Sequence, residues 1–558
     1  MNFAPIRSPV AVASLIVVLM ALPVAGAVRV WTGTAGQFWS NPLNWEAGQV
    51  PTSGDMIEFP VEAAHRVTIQ DLAPDLSLTG IVIKGRNYVL AGNSIILAGD
   101  LVSTPNNSTN RIDLNAALHG EVSFVNAGYF NQLELSGQFK VENEGTLILR
   151  TSSAIRISGM ITATNLARVV QRDPGWVTFG HAGRVRGNLF VERGTLVLAG
   201  GSLQPQNPHI DGELSIGDNV NPSGHSRVFW QDSNLLSTNT HVTVHRSGIM
   251  NLADMAPVMG ITEWIRTLAG SGIVDLGPNH LIVNPKGFHP EFSGELRGSG
   301  TLQLGWIPDP PTDLFSGSLT LSGHSPLAGA VNVDLGHLHL TGSLSNAVIT
   351  LKAACRLNGN GTARGIISTG GIIRPGPGTL RLLDHCALDW WTQLWLPVDG
   401  PNAARLKTSS LELNSAFLGA SYHGDPADTF TLIEAGSAST DPLRVDGRDL
   451  PEGAWIVAGP TDDLNDFQIS YTGNSGHDVV LQKVGSYVPP VLNIQQVSAT
   501  ERRIAWPLAA HTYRLEHTPS WFPRFWSTNG LPAQGTNDMD FFIIENLPGQ
   551  QRYYRLRR

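Results

Sequence analysis

Residues 347–388 read AVITLKAACRLNGNGTARGIISTGGIIRPGPGTLRLLDHCAL, and residues 466–484 read DFQISYTGNSGHDVVLQKV. Between them they frame the stretch 346–483, which decides the fold. Short runs rich in Val, Ile, Leu and Thr (residues 349–351, 365–368, 372–374 and 379–382) alternate with Gly and Pro at close intervals. Runs of this length bounded by turn formers are the strand signal, and no helical period interrupts them. A chain that turns this often needs many short strands stacked on one another, so the stretch reads as a coil of rungs.

The same residues carry a family resemblance. Gly359-Asn360-Gly361-Thr362, followed by Gly370-Gly371-Ile372-Ile373-Arg374-Pro375-Gly376-Pro377-Gly378-Thr379-Leu380, resembles the GnGt…GGti-x-PG-x-pGtL pattern of autotransporter-associated β-strand repeat proteins. A strand at 392–398, a segment at 404–413 and Thr429-Phe430-Thr431-Leu432-Ile433 follow in the family's order. Tyr471-Thr472-Gly473-Asn474-Ser475-Gly476-His477-Asp478-Val479-Val480-Leu481 is similar to its YtggdGNDVvL close. Arg374 stands where a small residue is usual, and His477 where Asn is usual. The resemblance covers about a quarter of the chain and implies an exported right-handed parallel β-helix; it says almost nothing about activity.

Upstream, the rungs continue more loosely. Gly-x-apolar-x-apolar recurs at Gly145, Gly194, Gly212, Gly248, Gly272, Gly300, Gly317 and Gly336. Alternate apolar residues of a strand share one face, here the interior, with the glycine at the corner. Glycines 300, 317, 336, 359 and 378 are spaced by 17, 19, 23 and 19 residues, so each interval is expected to be about one turn, as a solenoid requires.

The start of the chain reads as an address. Arg7, an apolar run from Val10 to Leu22 and the small-x-small site Ala25-Gly26-Ala27 make residues 1–27 a secretory signal peptide, too short in its apolar part to span a bilayer. No later segment has eighteen consecutive apolar residues, so no transmembrane segment is expected after cleavage. The expected location is secreted, cell-surface or periplasmic. A net charge of −9 excludes the basic footprint of a nucleic-acid binder. Residues 28–80 read as an aromatic N-terminal cap, built on Val28-Arg29-Val30-Trp31, Trp39, Asn44-Trp45 and Gly54-Asp55. This pattern also resembles the opening of exported bacterial β-helix proteins. An open first rung must be sealed, and Trp31, Trp39 and Trp45 suit that task. The other role open to them is stacking on sugar rings. The helix is expected over 81–484, a linker at 485–490, and a small β module, sandwich-like, at 491–558. The motif Tyr513, Leu515, Glu516, Trp526, Tyr554, Arg555 and Leu556 resembles the short C-terminal modules of similar exported proteins. Sixty-eight residues are too few for a translocator barrel.

Recognisable chemistry is sparse. The G-x-S-x-G, H-E-x-x-H and P-loop patterns are absent from the sequence. Asp211, Glu213, Asp218, Asp232 and the pair Asp462-Asp463 are the acids that could serve a polysaccharide-cleaving site, against their ordinary use in turns. Residues 473–481 resemble one calcium nonapeptide, but such sites share the ion between tandem copies, so a hairpin turn is the better reading. His337 and His339 share a strand face without a third ligand nearby. Cys355 and Cys386, 31 residues apart, are either a disulfide in an exported chain or two buried thiols. No cofactor, metal or catalytic residue is assigned. The leading expectation is an exported non-enzymatic structural or cell-surface scaffold, whose partners would be extracellular polysaccharide or cell-envelope components. A carbohydrate-binding or adhesive protein is the alternative, and a polysaccharide lyase or hydrolase a more distant one. Exposed aromatics on successive rungs would favour the adhesive reading; residues 81–344 offer few.

Overall fold

The computed structural model describes residues 26–558 except 200–207, 222–223, 254–259, 306–316, 399–404, 423–428, 440, 446, 459–464, 487–489, 508–512, 520–525, 529–534, 537–539, 547–551 and 558. Nearly all of the signal peptide, the pair Asp462-Asp463 and half of the expected linker lie outside the described residues.

Three ladders of parallel strands wrap one core, making a β-solenoid of about fifteen turns. The long face starts with Val28–Val30 on Met56–Phe59 and runs to Phe417–Tyr422. A second face begins at Val67–Gln70 and a third at Leu76–Leu78. Met160–Gln171 and Arg184–Val191 each run round the corner between the third and long faces, with a register shift between Ala163 and Arg168, and so fuse those ladders into a 25-stranded sheet. Parallel pairing needs a crossover between successive partners, and here the other two faces supply it. Along the long face one turn takes from 16 residues (Asn358 opposite Arg374) to 29 (Glu291 opposite Thr320).

The alternating pattern explains the core. Leu147 and Leu149, Leu196 and Leu198, Leu214 and Ile216, and Leu302 and Leu304 all point inward and are buried. With their equivalents they form one continuous apolar cluster from Trp31 to Leu481. Burial at roughly 25 cal/mol per Å² over such a column is the main stabilising term.

The glycine spacing expected from the sequence is corrected in part. Gly317 and Gly336 are one turn apart, as Ser318 lies opposite His337. Gly300, however, precedes a third-face strand, Thr301–Leu304, whereas Gly317 precedes a long-face strand, so 17 residues is not a turn. Gly359 ends its strand and Gly378 opens one on another face. The true column at one corner is Gly272, Gly294, Gly323, Gly342 and Gly361. A Cβ on Gly294, Gly323 or Gly342 would lie 2.0–2.1 Å from the carbonyl oxygen of the glycine one turn below. Close backbone approach, rather than an unusual φ, demands glycine there.

The third face has a gap between Ile210–Asp211 and Thr262–Ile265, bridged among the described residues by the single pairing of Ile210 with Leu236. The fully buried Glu263 fills it: its carboxylate accepts from the backbone N–H of Leu235 (2.9 Å), Leu236 (3.2 Å) and Trp264 (3.0 Å). A side chain here replaces the carbonyls of a missing strand.

Two buried cysteines are free thiols, so the disulfide alternative is not realised. Cys355 sits in the turn before Arg356–Gly359 on the long face, and Cys386 in a different sheet, opposite Ile366. Burial pushes both thiols up to about 12, which leaves them protonated and inert.

At the C-terminal end the chain reverses. Asp478–Ser486 pairs antiparallel with Thr429–Ala435 and with Asn465–Gly473. This hairpin is the 471–481 motif seen in the sequence. The Tyr471 hydroxyl donates to Leu450 O and accepts from Leu443 N, both at 2.8 Å. Asp478 accepts from Ala435 N (3.1 Å) and from the side chains of Asn474 and Ser475. Beyond it, among the described residues, lie two small antiparallel sheets, of four and three strands. There Glu516 is buried between Arg555 (2.6 Å) and Arg557 (3.4 Å), and the Arg555 guanidinium lies 4.2 Å from the Trp526 ring centre. The C-terminal motif is therefore one packed ionic and aromatic cluster. Among the described residues, no helix is long and apolar enough to cross a membrane.

Candidate functional site

The aromatic residues of the N-terminal cap are interior. Trp31 and Trp39 are 0% exposed and Trp45 3%. Trp45 meets Trp31 edge-on at 5.1 Å and Trp39 at 5.8 Å, and Phe59 continues the stack to Tyr88 at 5.2 Å. The Trp31 indole N–H donates to His65 O (2.8 Å) and that of Trp45 to Trp39 O (2.7 Å). Polar residues of the motif hold the loops over the rings. Asn44 accepts from Ala35 N (2.7 Å) and donates to Phe38 O (2.9 Å). Asp55 accepts from Ala27 N and Thr52 N, both at 2.9 Å, and from Arg29 at 2.7 Å. Burial opposes ionisation of Asp55, but the Arg29, Thr52 and Ala27 donors outweigh it and hold the carboxyl below its usual value. As packed, none of the three tryptophans offers a ring face to a sugar. That corrects the stacking role open to them in the sequence: the rings are spent on sealing the first rung.

Among the described candidate acids, two are engaged locally. Asp218 accepts from Val220 N, Asn221 N and Asn221 Nδ2 (3.0, 2.8 and 2.6 Å), and these donors, Asn221 foremost, keep its carboxyl low. Asp232 accepts from Ser233 N at 2.7 Å. Asp211 is exposed and Glu213 half-buried on either side of the Gly212 corner. His337 and His339 are half-buried on the outer side of His337–Leu340, alternating with buried Leu338 and Leu340. Burial lowers the His337 imidazole. Among the described residues no group of three or more His, Cys, Asp or Glu could hold a metal ion.

A different aromatic group faces outward near the other end. Trp391 is 72% exposed, Trp390 43% and Trp395 38%. Trp390 and Trp391 sit on the turn entering the long-face strand Gln393–Val398. Asp389 fixes that turn: one carboxylate oxygen accepts from Gly370 N (2.8 Å), Trp391 N (3.1 Å), Thr392 N (2.8 Å) and the Thr392 hydroxyl (2.7 Å). Thr392 is itself buried, and its hydroxyl oxygen, with its proton on Asp389, accepts from the Ser368 hydroxyl at 2.8 Å. The indoles are thus presented by a rigid turn. Arg444 covers one side of Trp390, its guanidinium 3.8 Å from the ring centre. Trp395 is outward because Leu394 and Leu396 are inward. It lies opposite Gly419, where a Cβ would come within 2.6–3.0 Å of three of its ring atoms. The indole therefore rests on bare backbone, with Phe417 6.3 Å away, and its N–H donates to Gln393 Oε1 at 3.1 Å.

No family model matches the chain, and no curated protein matches it. Among solved structures, the crystal structure of the Haemophilus influenzae Hap adhesin is similar over 77% of this chain and 63% of its own, at 13% identity and a TM-score of 0.20. This chain therefore spans less than two thirds of that one. At that TM-score no residue or role carries over.

The exposed shelf is legible in the sequence, although no site was expected there. Period-two alternation alone places Trp395 outside, and two consecutive tryptophans cannot both point into a core.

Proposed function

We propose that this chain is an exported, non-enzymatic β-solenoid scaffold of the cell-surface kind. The observation that carries the reading is the continuous apolar column from Trp31 to Leu481, closed by buried tryptophans at one end and by an antiparallel hairpin at the other. Of the candidate acids, Asp218 and Asp232 are bonded to neighbouring backbone N–H groups, which suits a scaffold better than a polysaccharide lyase or hydrolase. The resemblance of residues 359–380 and 471–481 to autotransporter-associated repeats, and the leader read at residues 1–27, support export. The test is a depolymerisation assay of the purified protein on uronate-containing, sulfated and neutral polysaccharides, with and without calcium. No new reducing ends or unsaturated products are expected; turnover of any substrate overturns the reading.

A second reading, a carbohydrate-binding or adhesive protein, is favoured by the outward shelf at Trp390, Trp391 and Trp395. Flat indole faces held on rigid backbone are suited to the apolar faces of sugar rings.

A further inference from the structure

Around the shelf, the outer side of the long face has an uneven charge. Two columns of outward residues run along it in register. One is His337, Arg356, Ile372, Gln393 and Phe417; beside it run His339, Asn358 and Arg374, then Trp395 and Gly419, where the pairing that joins the two sets ends at Ile373 opposite Leu394, one residue before Arg374 and Trp395. The five strands His337–Leu340, Arg356–Gly359, Ile372–Pro375, Gln393–Val398 and Phe417–Tyr422 contain no Asp or Glu, although the chain as a whole is at −9. Arg374 is exposed and follows Ile373, whose partner Leu394 precedes Trp395 on the next turn, and no carboxylate lies within ion-pair distance of it among the described residues. The neighbouring face differs: there Arg405 and Lys407 are both matched by Glu434, at 2.6 and 2.9 Å. An uncompensated guanidinium on the strand next to exposed indoles, with Gln393 and Asn358 on the same face as partners for sugar hydroxyls, calls for a ligand that is flat and apolar on one side and anionic at its edge. The guanidinium fork matches a carboxylate or sulfate.

We infer that Trp391, Trp395 and Arg374 form a binding site for an acidic polysaccharide, one whose pyranose rings carry carboxylate or sulfate groups. The inference rests on the carbohydrate-binding reading above and adds the site and the ligand charge. Successive outward residues repeat at the strand spacing of about 4.8 Å, so an extended glycan lying along the columns meets an arginine and an indole on adjacent turns.

The experiment measures binding of the full chain, by calorimetry, to polygalacturonate, to its methyl ester, to a sulfated galactan and to a neutral glucan. Trp391→Ala, Trp395→Ala and Arg374→Gln are compared with wild type, and Phe130→Ala, an exposed aromatic elsewhere, serves as control. Unfolding midpoints verify that each variant is folded. The acidic glycans are expected to bind at least tenfold more tightly than ester or glucan, and added salt should erode that margin. Either Trp variant should lose tenfold or more, Arg374→Gln should abolish the margin, and Phe130→Ala should change nothing. Equal binding of acid and ester, or a margin that survives Arg374→Gln, overturns the ligand charge and leaves carbohydrate binding standing. Wild-type affinity in both Trp variants overturns the site alone. No binding to any of the four glycans overturns the carbohydrate-binding reading and this inference with it.

Discussion

Tryptophan is used in opposite ways at the two ends of the solenoid. At residues 31–45 three indoles turn edge to face among themselves, and Asn44 and Asp55 pin loops across them until water is excluded. At residues 390–395 three indoles stand on a turn fixed by Asp389 and on the bare backbone of Gly419, with solvent above. Residue type is the same and the supporting polar work is comparable. What differs is whether chain remains to cover the rings: the first rung has an open end to fill, whereas the turn at 389–392 lies beside strands that continue past it. An aromatic residue in a solenoid is therefore read by its position relative to an open end, not by its chemistry alone.

The contrast breaks most visibly if a cap indole is removed. Trp39→Ala should cost roughly 3–5 kcal/mol, the range for deleting a fully buried aromatic, read as a lowered denaturant midpoint. A loss below about 1 kcal/mol would mean that the cap is dispensable. Ionisable groups extend the same comparison. Buried Glu263 is pushed up to about 7 by desolvation, against an ordinary value near 4.5, despite the backbone donors of Leu235, Trp264 and Leu236. A carboxyl raised in the folded state binds its proton more tightly there, so its stabilising share is complete below about pH 4.5 and is lost as pH rises through about 7. The loss amounts to about 3 kcal/mol at 1.36 kcal/mol per unit. Glu263→Gln should flatten that fall in a profile of midpoint against pH; an unchanged slope would assign it to other groups. Smallest of all, Trp391→Ala should shift stability by no more than about 0.5 kcal/mol, as for an ordinary surface site. A shift near that of Trp39→Ala would show that the shelf is structural after all.

Much of the fold could be read from residues alone, because a solenoid writes its geometry into local pattern. The runs at 349–351, 365–368, 372–374 and 379–382 all fall in strands, and the inward apolar residues follow from period two. The glycine register was harder. Corners on different faces both select glycine, so spacing cannot tell a full turn from the step between faces, and only the contact of Gly342 with Gly323 O reveals the column. Glu263 was not legible: a lone Glu between Thr262 and Trp264 gives no sign that a strand is missing one turn away. Arg374 was legible in part, since it departs from the small residue usual in the resembling repeat. Its significance depends on Trp395 lying on the next turn, which no short window of sequence displays.

The uniform pairing of the long face has a mechanical consequence. About fifteen turns, each advancing by about 4.8 Å, put the sealed first rung and the Trp395 turn on the order of 70 Å apart. Hydrogen bonds between successive turns run along that span, so bending or stretching it strains many bonds together. The chain is in effect a mast of fixed height: whatever holds its first rung, the tryptophans near its far end are carried to a set distance, and a force applied there is borne by the backbone ladder as a whole.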